Sequence, residues 1–149
     1  MSTIWILVAD AGRARVLELA DAGKRKKLAE VARYANPDAR LPGKEFTTDR
    51  PPSVNESMGS TRHAIEPHTT LREKNANRFA RTLNAVLERG RQEHRYESLV
   101  LVAPSRFLGA LQGCMDKPLH DRVIEVVHHD YTALPVAELR ERLPTKIFL

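Results

Sequence analysis

The amino-acid sequence predicts one α/β domain built on a mixed five-stranded sheet, and three observations carry that expectation. Two short runs, Ile4–Ala9 and Leu99–Val102, are continuously apolar and rich in branched side chains, as strands covered on both faces are. Between them, Ala76, Phe79, Ala80, Leu83, Val86 and Leu87 recur at three-and-four spacing, the mark of a helix that buries one stripe. After the second run, helix and strand signals alternate. That alternation implies parallel strands joined by helical crossovers, whereas the closely spaced strands before the helix imply antiparallel pairing.

Taken in order, Ile4–Ala9 reads as a central strand. Asp10-Ala11-Gly12 supplies turn chemistry, with Gly12 free to adopt positive φ, and Arg13 to Ala20 resumes as a second, more polar strand. A β-hairpin therefore opens the domain. After Asp21-Ala22-Gly23 and the cluster Lys24, Arg25, Lys26, Lys27, a third strand is expected over about Leu28 to Tyr34, its charges suiting a sheet edge. From Asn36 to Thr70 the pattern dissolves, as Pro37, Pro42, Pro51, Pro52 and Pro67 interrupt a polar stretch with no period. Connections of that length in compact domains are usually functional or disordered, so residues 36–70 are the first place to look for function. The helix then runs from about Leu71 to Gly90 or shortly beyond. Leu99–Val102 follows as a strand, and Ala103-Pro104-Ser105 turns into a short helix through about Met115, with Ser105 as its N-cap. Val123–Val127 gives the last strand, and Pro135 to Leu143 a last helix with proline in its first turn. The predicted domain covers 1–149 and has a general ribonuclease-H-like shape.

Composition bounds what such a domain can do. At 149 residues, roughly 70% of the unfolded surface can be buried, enough for one real core. A chain that is 42% hydrophobic and 29% charged lies far from the disordered regime. Cys114 is the single cysteine, so the fold needs no internal disulfide and suits a reducing compartment. The first ten residues lack a basic signal region, and no run approaches the ~20 apolar residues of a membrane helix. A cytoplasmic location away from membranes is expected. The net charge of +5 and the pI near 9.7 permit a polyanionic partner, although cations spread along the chain also serve plain solubility.

Four stretches carry a family resemblance: Trp5-Ile-Leu-Val-Ala-Asp10-Ala-Gly-Arg13-Ala-Arg15, Thr61-Arg62-His63-Ala64-Ile65-Glu66-Pro67, Arg78-Phe79-Ala80, and Leu99-Val-Leu-Val-Ala-Pro104-Ser-Arg-Phe107-Leu108-Gly109. Together, in this order and over nearly the whole chain, they resemble the bacterial family named "protein required for attachment to host cells". That family is similar in fold to the middle domain of archaeal and eukaryotic peptide-chain release factors and of the ribosome-rescue factor Pelota. The resemblance therefore implies a release-factor-like fold and docking to the ribosome or RNA. In release factors a Gly-Gly-Gln tripeptide on the loop matching residues 36–70 promotes hydrolysis of peptidyl-tRNA. This chain offers only Met58-Gly59-Ser60 there, which puts that chemistry in doubt.

Several groups of residues are candidates for a site, each with a plainer reading beside it. Lys44, Arg50, Arg62 and His63 on the expected loop could contact phosphates, although Glu45, Asp49, Glu56 and Glu66 oppose this and an ordinary solvated loop would look the same. Lys74, Arg78 and Arg81 share one helical face, which suits tracking phosphates or simply being solvated. Ser105 and Arg106 follow a parallel strand, where open α/β sheets tend to bind ligands and where a helix N-terminus could hold an anion; Ser105 as a plain cap is the alternative. Asp10 reads as a turn residue rather than the first carboxylate of a metal nuclease. His128, His129 and Asp130 invite a metal proposal, yet no pair of histidines has helical i, i+4 spacing and no C-x-x-C occurs. Cys114 follows Gly113 near a helix C-terminus, where the dipole disfavours a thiolate. No metal or other cofactor is implied.

The expected function is a non-enzymatic cytoplasmic module that binds RNA or the ribosome. A hydrolase of nuclease, esterase or peptidyl-tRNA hydrolase type is the first alternative. A protein–protein scaffold or adhesin acting in attachment is the second.

Overall fold

A computed structural model describes residues 2–23, 25–38 and 61–149, with side chains omitted for 61–70. The strands are β1 (Ile4–Ala9), β2 (Arg13–Ala22), β3 (Arg25–Ala35), β4 (Ser98–Val102) and β5 (Val123–Val127). The helices are α1 (Thr61–Gln92), α2 (Ser105–Gly113), α3 (Lys117–His120) and α4 (Val136–Arg142), followed by a 3₁₀ turn over Thr145–Phe148. The sheet is mixed, five-stranded and open, in the order β3-β2-β1-β4-β5. β1 pairs antiparallel with β2 and parallel with β4; β2 and β3 are antiparallel, and β4 and β5 parallel.

The continuous apolar runs are explained by two separate cores, one on each face of the sheet. Strand side chains alternate between faces, so Trp5, Leu7 and Ala9 of β1 join Phe79, Leu83 and Leu87 of α1 and Phe107 and Leu111 of α2 on one side. Ile4, Ile6 and Val8 join Leu139 and Leu143 around α4 and Ile147 of the 3₁₀ turn on the other. A central strand in this setting has no polar face to spare.

Several boundaries differ from those expected. β3 begins at Arg25, three residues early, because its backbone keeps pairing with Asp21 and Ala22 of β2 whatever its charged side chains do. The irregularity opposite Val16 and Leu17 leaves Val31 without a partner on β2, and Val31 is half-exposed. α1 starts at Thr61, ten residues before the expected start, and its backbone stays helical through Pro67. Among the described side chains, the apolar stripe that packs on the sheet begins at Ala76, and residues 71–74 are all exposed. The N-terminal turns thus carry no period to read, and Pro67 reads as a breaker. The expected 36–70 loop is shortened from both ends, and residues 39–60 lie outside the described part.

α1 ends at Gln92, shortly beyond Gly90 as expected, in a Schellman motif. Arg95 N–H donates to the Gly90 carbonyl at 2.9 Å and His94 N–H to the Arg91 carbonyl at 3.1 Å, with His94 in the left-handed region at φ 57°. Gly90 serves packing instead: a Cβ there would lie 2.6 Å from the Trp5 ring, which stacks on Tyr96 at 4.8 Å between centroids. The Tyr96 hydroxyl donates to the Leu87 carbonyl at 2.7 Å, and burial pushes its pKa up to about 12.

Candidate functional site

The sequence-derived candidates fall into two groups in space. The first is the outer face of α1, where Lys74, Arg78 and Arg81 are exposed at i, i+4 and i+7, opposite the buried stripe. Arg78 is already engaged, its Nη1 donating to Asp38 Oδ2 at 2.6 Å. Among the described residues, no carboxylate forms an ion pair with Lys74 or Arg81. Arg62 and His63, expected on a loop, belong to the first turn of α1. Lys44 and Arg50 lie outside the described residues.

The second group forms the carboxyl edge of the parallel strands, where β1, β4 and β5 deliver their following turns side by side. Asp10, just after β1, builds an Asx turn: its Oδ1 accepts the N–H groups of Gly12 at 2.8 Å and Arg13 at 3.0 Å. Its other oxygen faces Thr132, 122 residues away in sequence, at 3.3 Å. The Thr132 hydroxyl has one proton to give, and the shorter 2.7 Å contact directs it to Asp130 Oδ1; Arg13 Nε donates to the same hydroxyl oxygen at 3.2 Å. Asp130 also accepts the Thr132 N–H at 3.1 Å. Burial pushes the Asp130 pKa upward, but the Thr132 hydroxyl and amide, the neighbouring Asp10 and the Arg13 charge outweigh it and hold the carboxyl below its ordinary value.

A buried arginine fixes this edge from beneath. Arg15, 4% exposed, points from β2 to the α4 side of the sheet, where its Nη1 donates to the carbonyls of Thr132 at 3.2 Å and Leu134 at 2.5 Å. Its Nε donates to Glu30 Oε1 of β3 at 2.8 Å. Glu30 also pairs with Arg33, and these hydrogen bonds, Arg33's first, keep its pKa low against the opposing effect of burial. A charge inside a strand that reads Ala-Arg-Val-Leu was the available signal for a buried pair, since such a charge needs a partner.

Ser105 departs from expectation. Pro104 occupies the N-cap, Ser105 is the first helical residue, and α2 has no side-chain cap. At that position the hydroxyl does not cap the helix, and its Oγ lies 3.2 Å from His128 Nδ1. The Ala103 N–H donates to the Val127 carbonyl at 3.0 Å, which fixes the turn after β4 against the end of β5. Arg106 is exposed beside Ser105. His128 and His129 lie beyond the end of β5, so strand alternation does not govern them; His129 instead stacks on Tyr131 at 5.2 Å. Among the described residues, no three His, Cys, Asp or Glu side chains gather as a metal site would require. Cys114 is half-buried, its thiol donating to the Ala110 carbonyl at 3.2 Å and accepting from Asn84 Nδ2 at 3.1 Å. No described helix is long and apolar enough to cross a membrane.

The third anchor of this edge is Asn36, at the end of β3. Its N–H donates to the Gly12 carbonyl and its Nδ2 to the Ala11 carbonyl, both at 2.9 Å, so it grips the β1–β2 turn. Its Oδ1 accepts the Asp38 N–H at 3.1 Å, and Asp38 in turn holds Arg78 of α1. The start of the polar stretch is thereby tied to both candidate surfaces.

A comparison with curated proteins finds no match. The model of one family, described as "Protein required for attachment to host cells", matches residues 5–143, which include β1 from Trp5, the whole of α1 and every residue of the carboxyl edge. The chain belongs to that family of proteins required for attachment to host cells.

Proposed function

We propose that this host-attachment-family chain is a cytoplasmic module with the fold of release-factor middle domains, and that it docks on RNA, ribosomal RNA included, through the outer face of α1. The observation that carries the reading is the exposed stripe of Lys74, Arg78 and Arg81, in which only Arg78 has a carboxylate partner among the described residues. Seven residues of helix cover about 10 Å, so the three cations present a short line of charge to a phosphate backbone. The chain's net charge of +5 favours encounter with a polyanion. The absence of Gly-Gly-Gln anywhere in the sequence directs the reading to recognition rather than release-factor chemistry.

The test is sedimentation of the purified protein with ribosomes across a salt series. Co-sedimentation at low salt that weakens as salt rises is expected. Each phosphate neutralised contributes about 0.7 (single strand) to 0.9 (duplex) to the salt slope, so Lys74→Ala with Arg81→Ala flattens it by about 1.4–1.8. No co-sedimentation at low salt, or an unchanged slope in the double variant, would sink the reading.

A further inference from the structure

The pair formed by Ser105 and His128 is not used by docking through α1, and it has the parts of a small acyl-transfer site. The Ser105 hydroxyl does not cap its helix, and its hydrogen-bond partner is the imidazole of His128. The two residues sit just beyond adjacent parallel strands whose pairing runs to Val102 and Val127, so sheet backbone rather than loop chance sets their separation. The first amide of this turn to find an acceptor is that of Leu108, which donates to the Pro104 carbonyl at 2.9 Å. Among the described residues the Arg106 and Phe107 amides have no backbone acceptor, and they lie in the first turn of α2, beside the nucleophile, where an oxyanion would develop. Arg106 itself is exposed at the next position and adds positive charge.

We propose that Ser105 and His128 form a nucleophile–base pair that hydrolyses carboxylic esters, with a preference for esters bearing a negative charge. Ser105 Oγ attacks the ester carbonyl as His128 Nδ1 takes its proton, and the new oxyanion is held by the first-turn amides of α2. Collapse breaks the bond to the leaving alkoxide, which takes the proton from His128. Water then attacks the acyl-serine by the same route, releasing the acid and restoring the hydroxyl. His128 Nε2 has no orienting carboxylate among the described residues, so the pair works without the third member of a full triad and turnover is modest.

A fluorophosphonate probe tests this directly, since attack forms an Oγ–P bond and expels fluoride. One adduct per chain, mapped to Ser105, is expected, absent from Ser105→Ala and formed at least about tenfold more slowly in His128→Gln. Both side chains are exposed, so both variants are expected to fold, as far-ultraviolet circular dichroism will show. Should Ser105→Ala fail to fold, the position of the adduct on the wild-type chain decides instead: a label on Ser105 supports the proposal, and a label elsewhere overturns it. p-Nitrophenyl hemisuccinate should be hydrolysed faster than p-nitrophenyl acetate, an advantage lost in Arg106→Ala. An unlabelled Ser105, or labelling of His128→Gln at the wild-type rate, would overturn the proposal; equal rates on the two esters would overturn its charge preference.

Discussion

Arg15→Met isolates what the buried guanidinium contributes to the carboxyl edge. Methionine keeps most of the apolar stem, so the cavity contribution is small, and the loss falls on three hydrogen bonds. Two of them satisfy the carbonyls of Thr132 and Leu134; leaving a buried acceptor unpaired costs about 1–3 kcal/mol, which gives about 2–6 kcal/mol for the two. Glu30 is not orphaned, because Arg33 still pairs with it and its side chain is 22% exposed. It therefore adds little. The sum agrees with the about 3–5 kcal/mol typical of removing one partner from a buried ion pair. In a domain of this size that corresponds to a melting temperature lower by about 6–20 °C. Arg15→Lys should recover part of this, since an ammonium can reach Glu30 but lacks the planar fork that serves both carbonyls.

Urea unfolding gives the global value, and amide exchange over 128–134 gives the local one. The local readout is the sharper: with Arg15 gone, this connection is tethered mainly through Thr132, to Arg13 and Asp10, and its amides should exchange at lower protection than those of β1 and β4. Stability within about 1 kcal/mol of wild type, with unchanged exchange over 128–134, would refute the argument that Arg15 holds the edge.

Four further outcomes follow from single positions. Gly90→Ala should destabilise by about 1–3 kcal/mol in thermal or urea unfolding despite alanine's better helix propensity, because its Cβ meets the buried Trp5 ring at 2.6 Å; Gly109→Ala, with nothing within 4 Å, should instead stabilise α2 by about 0.5–1 kcal/mol. His94→Gly removes a left-handed non-glycine residue at the end of α1 and should raise stability by about 0.5–1 kcal/mol, read as a higher urea midpoint. Asp130 has a folded pKa below its unfolded one, so its contribution is present above the unfolded pKa of about 3.9 and is lost as pH falls through the folded value. The stability gap between wild type and Asp130→Asn, measured by urea unfolding from pH 6 to pH 2, should narrow below about pH 5; a gap independent of pH would contradict the assignment.

Which parts of this molecule were legible in the sequence follows from the range of the forces involved. β1 and β4 were readable because burial on both faces leaves an unbroken apolar run, and α1 was readable from Ala76 because the sheet beneath imposes a period. Residues 71–74, before that stripe, are exposed, and the same helix becomes unreadable where packing stops acting on it. Gly90 marked the helix end only approximately: the helix runs to Gln92 with His94 as its left-handed closing residue, and the glycine answers to Trp5, 85 residues away. At the site, the Asx turn at Asp10 was legible because both partners lie within three residues. Thr132 and His128 were not, since Asp10 lies 122 residues from the one and Ser105 lies 23 residues from the other, and only the sheet order brings them together.

Sheet order also explains why the two candidate surfaces are not independent. Asn36 grips the β1–β2 turn that Asp10 and Thr132 hold from the other side, and two residues later Asp38 takes hold of Arg78 on α1. Arg78 cannot give the same donor to Asp38 and to a phosphate. An exposed ion pair of this kind is worth only about 0–1 kcal/mol, so a phosphate, with its stronger charge-assisted hydrogen bonds, can compete for the guanidinium. A polyanion that takes the Arg78 Nη1 donor releases Asp38 from α1 while Asn36 keeps its hold on the turn. Binding on the helix would then loosen the first residues of the polar stretch without disturbing the carboxyl edge, where Asp130, Thr132 and Arg15 make bonds that do not pass through Asp38.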